Sequence, residues 1–145
     1  MVDVAPLKVR VILDTNVLLS GLLSAGGVPA RLVEAWLDHR FILVSHAIQL
    51  DELREVTRRD KIRARLKSSE AGRLINQIKA IAEMVGRLPP VERSRDPRDD
   101  FLLALCEAGK ADLLVTGDKD DLLSLETHGG ATIVTAARFA ETLRL

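Results

Sequence analysis

A chain of 145 residues with 47% hydrophobic and 29% charged residues, nine Gly and five Pro has the size and composition of a single folded domain spanning 1–145, and excludes a disordered, collagen-like or low-complexity polymer. Aromatic residues are only 3% of the total, so the core is expected to be aliphatic, and an aromatic base-stacking platform is argued against. Balanced totals of 21 Lys and Arg and 21 Asp and Glu rule out a polycation's affinity for nucleic acid or membrane by the molecule as a whole.

The chain opens on Met1-Val-Asp-Val-Ala-Pro6, which lacks the basic flank and long apolar stretch of a signal peptide, and no segment is long enough to span a bilayer. A cytoplasmic location without a membrane partner is expected. Val9-Arg-Val-Ile-Leu-Asp14 then reads as a short β-branched strand, followed by an apolar helical stretch from Val17 to Leu23 and the Gly26-Gly27 break. Leu32, Val33, Trp36 and Leu37 have helical spacing within Pro29 to Asp38, and Phe41-Ile-Leu-Val-Ser45 is a second buried strand, giving a βαβ unit and a parallel pair. Ser45 is placed to cap a third helix running to about Arg59, and a further amphipathic helix is predicted from Ser69 to Val85, ahead of Pro89-Pro90. The charged stretch Arg58 to Ser69 between them is a loop or helix junction. Asp96-Pro97 opens another helix that stops at Gly109. Leu113-Leu-Val-Thr116 and Thr132-Ile-Val-Thr135 are strands, and a last helix starts near Ala136. The alternation predicts a three-layer α/β/α sandwich on a mostly parallel sheet of four or five strands. Cys106, alone and inside Phe101-Leu-Leu-Ala-Leu-Cys106, supports neither a disulfide nor a thiolate zinc site and is expected to be buried and inert.

Charge is unevenly distributed along this frame. Seven Lys or Arg against two acids lie between Arg54 and Lys67, whereas ten acids against five Lys or Arg lie between Glu92 and Glu126. In open parallel sheets ligands bind beyond the carboxyl ends of the strands, and Asp14 and Asp118 both follow strands there. Either one, taken alone, is equally a turn former or helix cap. On the third helix Asp51 should face water, while Glu52 shares a row with Ile48 and Val56 and turns toward the core, as a metal ligand or as an edge glutamate paired with an arginine such as Arg31. Asp96 fits an N-cap, and Asp99 fits the third helical position that caps back, which leaves Asp100 to point inward. Four acids from four elements, Asp14, Glu52, Asp100 and Asp118, could then meet at one edge. Their repulsion calls for a hard cation, and oxygen-only donors without clustered His or Cys suit magnesium or manganese and a phosphate-ester substrate attacked by water.

At these residues the chain resembles the PIN-domain ribonucleases, including VapC-like toxins of toxin–antitoxin systems. The resemblance runs nearly end to end and rests on Leu13-Asp14-Thr15-Asn16, Leu50-Asp51-Glu52-Leu53, Asp100 ahead of Phe101-Leu-Leu-Ala, and Thr116-Gly117-Asp118. It implies a magnesium- or manganese-dependent endoribonuclease, usually a homodimer and often held inactive by a small antitoxin. Asp14, Glu52, Asp100 and Asp118 would bind the metal, with Asn16 and Thr116 in support and Asp121 and Asp96 as further candidates. RNA phosphates would meet the basic segment through Arg54, Arg58, Arg59 and Lys61.

Three other readings use the same acids. A phospho-receiver domain wants adjacent acids after the first strand and a Lys ending the last, where this chain has a lone Asp14 and Thr135-Ala136. A magnesium-dependent phosphatase with an aspartyl nucleophile wants a second Asp two residues on, where Asn16 stands. A non-catalytic PIN-like RNA-binding module is disfavoured by the intact set of acids.

Overall fold

The structure is a computed structural model that describes residues 8–117 and 120–145. Its strands are β1 (Arg10–Leu13), β2 (Ile42–His46), β3 (Glu83–Val85), β4 (Leu113–Thr116), β5 (Thr127–His128) and β6 (Ala131–Thr135). They form one sheet of order β3-β2-β1-β4-β6-β5, parallel at every step except the β5–β6 edge. Helices α1 (Thr15–Leu23), α2 (Val28–Leu37), α3 (Ala47–Thr57), α4 (Asp60–Arg63), α5 (Ser68–Ile81), α6 (Asp100–Ala108), α7 (Asp120–Leu123) and α8 (Ala136–Leu143) complete the order, with a 3₁₀ turn at Pro97–Asp99 before α6.

The period-two pleat divides the central strands between two cores. Val11, Leu13, Leu43 and Val115 pack with Leu18, Trp36, Leu53, Ile78 and Phe139 on one face of the sheet. Ile12, Val44, Leu114 and Ile133 pack with Leu102, Leu103, Leu105 and Cys106 of α6 on the other. The architecture is therefore the expected three-layer α/β/α sandwich. Both cores are aliphatic, apart from an edge-to-face contact of Phe41 with Phe139 at 5.1 Å between centroids and the buried Trp36. No single helix among the described residues is long and apolar enough to cross a membrane.

Several predicted boundaries move. The sheet has six strands because two short edge strands add to the four legible ones. α5 stops at Ile81, where Ala82 turns extended with φ −69° and ψ 155°, and the next three residues pair in parallel with β2 instead of extending the helix to Val85. β5 returns to β6 through Gly129 and Gly130, whose φ of 55° and 86° suit the two-residue turn that a Gly-Gly pair favours. Gly109 does close α6, but in right-handed backbone (φ −90°). A Cβ there would meet Val44 Cγ1 at 2.6 Å, so close approach, not a left-handed turn, requires the glycine. The cap of α3 is His46, whose Nδ1 accepts from the Ile48 N–H at 3.0 Å; Ser45 remains inside β2.

Candidate active site at the carboxyl edge of the sheet

From β1 the chain winds outward through β2 to β3, and from β4 it winds the opposite way to β6, so the direction of winding reverses between β1 and β4. In an open α/β sheet such a reversal leaves a crevice beyond the strand carboxyl ends. The register Leu13↔Val115 sets Asp14 beside Thr116 at that point. Thr116 Oγ1 donates to Asp14 Oδ2 at 2.9 Å, the Asn16 N–H is 3.4 Å from Asp14 Oδ1, and the Asp14 N–H donates to the Val115 carbonyl at 2.8 Å. Asp14 is thus the N-cap of α1 and is fixed from both sides, with 2% of its surface exposed.

The β1–β2 ladder covers only Arg10↔Ile42 and Val11↔Leu43, whereas β1 pairs with β4 as far as Leu13. Gln49 of α3 closes the gap. Its Nε2 donates to the Leu13 carbonyl at 2.7 Å, and its Oε1 accepts from Ser45 Oγ at 2.6 Å, all of it buried. This side chain ties the first turn of α3 to the ends of β1 and β2, and thereby sets where Glu52, one turn further on, stands relative to Asp14. Neither Gln49 nor Ser45 was singled out from the sequence as part of the site. The available signal was a glutamine between apolar neighbours on the buried side of an amphipathic helix.

At the start of α1, where Asn16 follows the Asp14 cap, lies a cleft of about 620 Å³. Glu52, Glu55, Val56 and Arg59 form one wall, Asp96, Arg98 and Asp99 another, and Asn16 and Asp121 complete it. Glu52 is half-buried, as its row predicts, while Asp51 faces solvent and pairs with Arg54 at 3.0 Å. Asp96 caps the turn, accepting from the Arg98 N–H at 3.0 Å, and also binds the Arg98 guanidinium at 2.9 Å. That hydrogen bond, followed by the fields of Asp96, Asp99 and Glu52, holds the exposed Arg98 above its ordinary pKa. Asp121 stands 3.7 Å from Arg95.

The structure differs from the sequence reading at Asp99 and Asp100. An α-helix starting directly after Asp96 would aim Asp100 inward. The first turn is instead 3₁₀, in which positions three apart eclipse, so Asp96 and Asp99 fall on the same side and both line the cleft. Asp99 is 7% exposed and makes no capping bond from its side chain. Asp100 is directed to the preceding loop, where its Oδ1 accepts from the Ser94 N–H at 2.8 Å and the Arg93 N–H at 3.2 Å. Asp118 lies outside the described residues.

The basic residues separate. Arg59 lies on the acidic cleft, 4.0 Å from Glu55, whereas Arg54 and Arg58 line a different cleft and Lys61 is exposed on α4. His46 and His128 are engaged elsewhere, with Gly86 and with Glu107 respectively. Among the described residues no three Asp, Glu, His or Cys side chains converge to enclose a metal ion. The donor set still fits a hard divalent ion, because magnesium keeps several waters and takes only one or two carboxylates together with substrate phosphates.

Residues 10–120 match the PIN domain family. Over 120 residues the chain is also 23% identical to the uncharacterized protein MJ1680 of Methanocaldococcus jannaschii, covering 82% of this chain and 76% of that one. PIN domains are in general nucleases. With the match spanning most of the chain, and the acid-lined crevice at the winding reversal of a parallel sheet, this chain belongs to the PIN domain family.

Proposed function

We propose that the chain is an endoribonuclease that hydrolyses RNA phosphodiester bonds with a bound magnesium or manganese ion. The observation that carries this reading is the cleft walled by Glu52, Asp96, Asp99 and Asp121, which Asn16 joins to the buried, doubly held Asp14 two residues earlier. Of Asp14, Glu52 and Asp99, one or two would bind the ion directly and the rest through its waters, with Asp118 as a further donor on the strength of the Thr116-Gly117-Asp118 motif. Asp99 replaces Asp100 in this assignment, because Asp99 lines the cleft whereas Asp100 turns its Oδ1 to the Arg93 and Ser94 amides. The chemistry that a hard cation supplies there is activation of water and stabilisation of the departing oxygen.

The chain's own groups do the rest. Thr116 and the Asn16 amide orient Asp14, Gln49 holds the helix bearing Glu52, and the exposed Asn16 side chain and the Arg59 guanidinium stand on the cleft to meet phosphate oxygens, while the Arg98 guanidinium is held by Asp96. The likeness to VapC-like toxins in Asp96-Pro-Arg-Asp-Asp100 and Thr116-Gly-Asp-Lys-Asp120 supports a cytoplasmic toxin, working as a homodimer and restrained by a small antitoxin.

The test is incubation of the purified chain with mixed RNA. Cleavage should stop with EDTA, return with manganese and be absent in Asp14→Asn, which keeps the capping oxygen and the volume of the side chain. Equal cleavage by wild type and Asp14→Asn, after removal of contaminating nucleases, would overturn the assignment.

A further inference from the structure

α3 and the two residues after it present opposite faces to two different clefts. Positions 52, 55, 56 and 59 recur at helical spacing along the acidic cleft, and positions 54, 57 and 58 fall on the far side. There, with Arg63 at the end of α4 and Ser68 and Asn76 of α5, they line a second cleft of about 480 Å³. Among the described residues no acid lines it. Arg54 is paired with Asp51, but Arg58 and Arg63 form no ion pair among the described residues. Two guanidinium groups without an ion pair give this concave surface a positive charge. Arg58 and Arg59 are consecutive and stand on either side of the carboxyl end of α3, one at each cleft, so a basic path leads over the helix end into the acidic cleft.

We propose that the Arg58–Arg63 cleft is a second RNA subsite, which grips the phosphodiester backbone of the strand cut on the other side of α3. This rests on the ribonuclease reading. Guanidinium forks match phosphate oxygens in pairs, and the Ser68 hydroxyl and Asn76 amide add neutral donors of the kind that contact phosphate and sugar. The two clefts are separated by about a helix diameter, ~10 Å, a distance that a few nucleotides of a single strand span. Such contacts read the backbone and not the bases, in keeping with a chain poor in aromatic residues. An acidic peptide is the other anion of suitable size, but it lacks the phosphates that would share a cation with Glu52 and Asp99 where the path ends.

The test uses the Asp14→Asn chain and a short fluorescein-labelled single-stranded RNA, with anisotropy titrations from 50 to 200 mM monovalent salt. Each phosphate contact to single-stranded RNA contributes ~0.7 to the slope of log K against log salt, so Arg58→Ala/Arg63→Ala should reduce its magnitude by about 1.4 with an unchanged melting curve. Arg31→Ala/Arg138→Ala removes the same charge from other exposed positions and should leave the slope unaltered. An unchanged slope in the first pair, an equal reduction in the second, or stronger competition by polyglutamate than by unlabelled RNA of equal charge would each overturn the subsite. Manganese-dependent cleavage by the otherwise unaltered chain, run in parallel, separates the two failures: cleavage with an unchanged slope removes the subsite alone, and no cleavage removes the nuclease reading.

Discussion

Gln49→Leu removes the side chain that joins three elements beneath the cleft. The Leu13 carbonyl loses its 2.7 Å donor and the Ser45 hydroxyl its 2.6 Å acceptor, in surroundings where Gln49, Ser45 and Leu13 have no exposed surface. An orphaned buried polar group costs about 1–3 kcal/mol, so two of them cost ~2–6 kcal/mol, against a typical domain stability of about 5–15 kcal/mol. Leucine is near enough in volume that little cavity cost is added. Guanidinium denaturation should therefore show a midpoint lowered at unchanged m. RNA cleavage should fall further than the folded fraction does, because Glu52 loses its fixed position relative to Asp14. Ser45→Ala/Gln49→Leu removes the stranded hydroxyl as well and should recover ~1 kcal/mol relative to Gln49→Leu. A cost below ~0.5 kcal/mol for the single substitution, the usual limit for a surface change, would refute the role given to this network.

Asp100→Asn should lower stability by ~1 kcal/mol, through weaker bonds to the Ser94 and Arg93 amides, while the folded protein keeps its cleavage activity; Asp99→Asn should do the reverse, and rate measurements beside melting curves distinguish them. The hydrogen bond from Arg10 across the sheet holds the Glu83 carboxyl below its ordinary value of 4.5, so its contribution is fully present above that pH and is lost as pH falls through the lower folded value. The pair is largely exposed and worth at most ~1 kcal/mol, so Glu83→Gln should melt slightly below the unaltered chain near neutrality, and the two melting temperatures should converge on acidification. Burial pushes the Cys106 thiol up to about 12, so a maleimide at pH 8 should label the chain only after denaturation; rapid labelling of native protein would contradict the packing of α6.

The central strands were legible because Val11, Ile12, Leu13, Leu114 and Val115 are buried on both faces, and such strands read as unbroken apolar runs. β3 was not, since Glu83 and Met84 are exposed and three residues at a sheet edge carry no periodicity of their own. Their pairing depends on β2 being present, which is tertiary information. Of the site, Asp14 and Glu52 are placed by a strand end and a helical row, and Thr116 by the resemblance. The choice between Asp99 and Asp100 did not, because one turn of 3₁₀ in place of α-helix changes which carboxylate faces inward, and both helix types accept the same Asp-Pro start. Gln49 was missed for a related reason: an uncharged polar residue on a buried helix face becomes visible only when the unpaired carbonyl it serves is known.

Titration of free manganese by electron paramagnetic resonance gives the most direct reading of the cleft, since it measures cation binding without RNA and without turnover. The unaltered chain should bind the ion, and both Asp14→Asn and Asp99→Asn should weaken that binding by at least about tenfold, ~1.4 kcal/mol, while Asp100→Asn leaves it intact. Undiminished manganese binding in Asp14→Asn, or loss in Asp100→Asn alone, would contradict a cation held between the end of β1 and the Asp96–Asp99 turn.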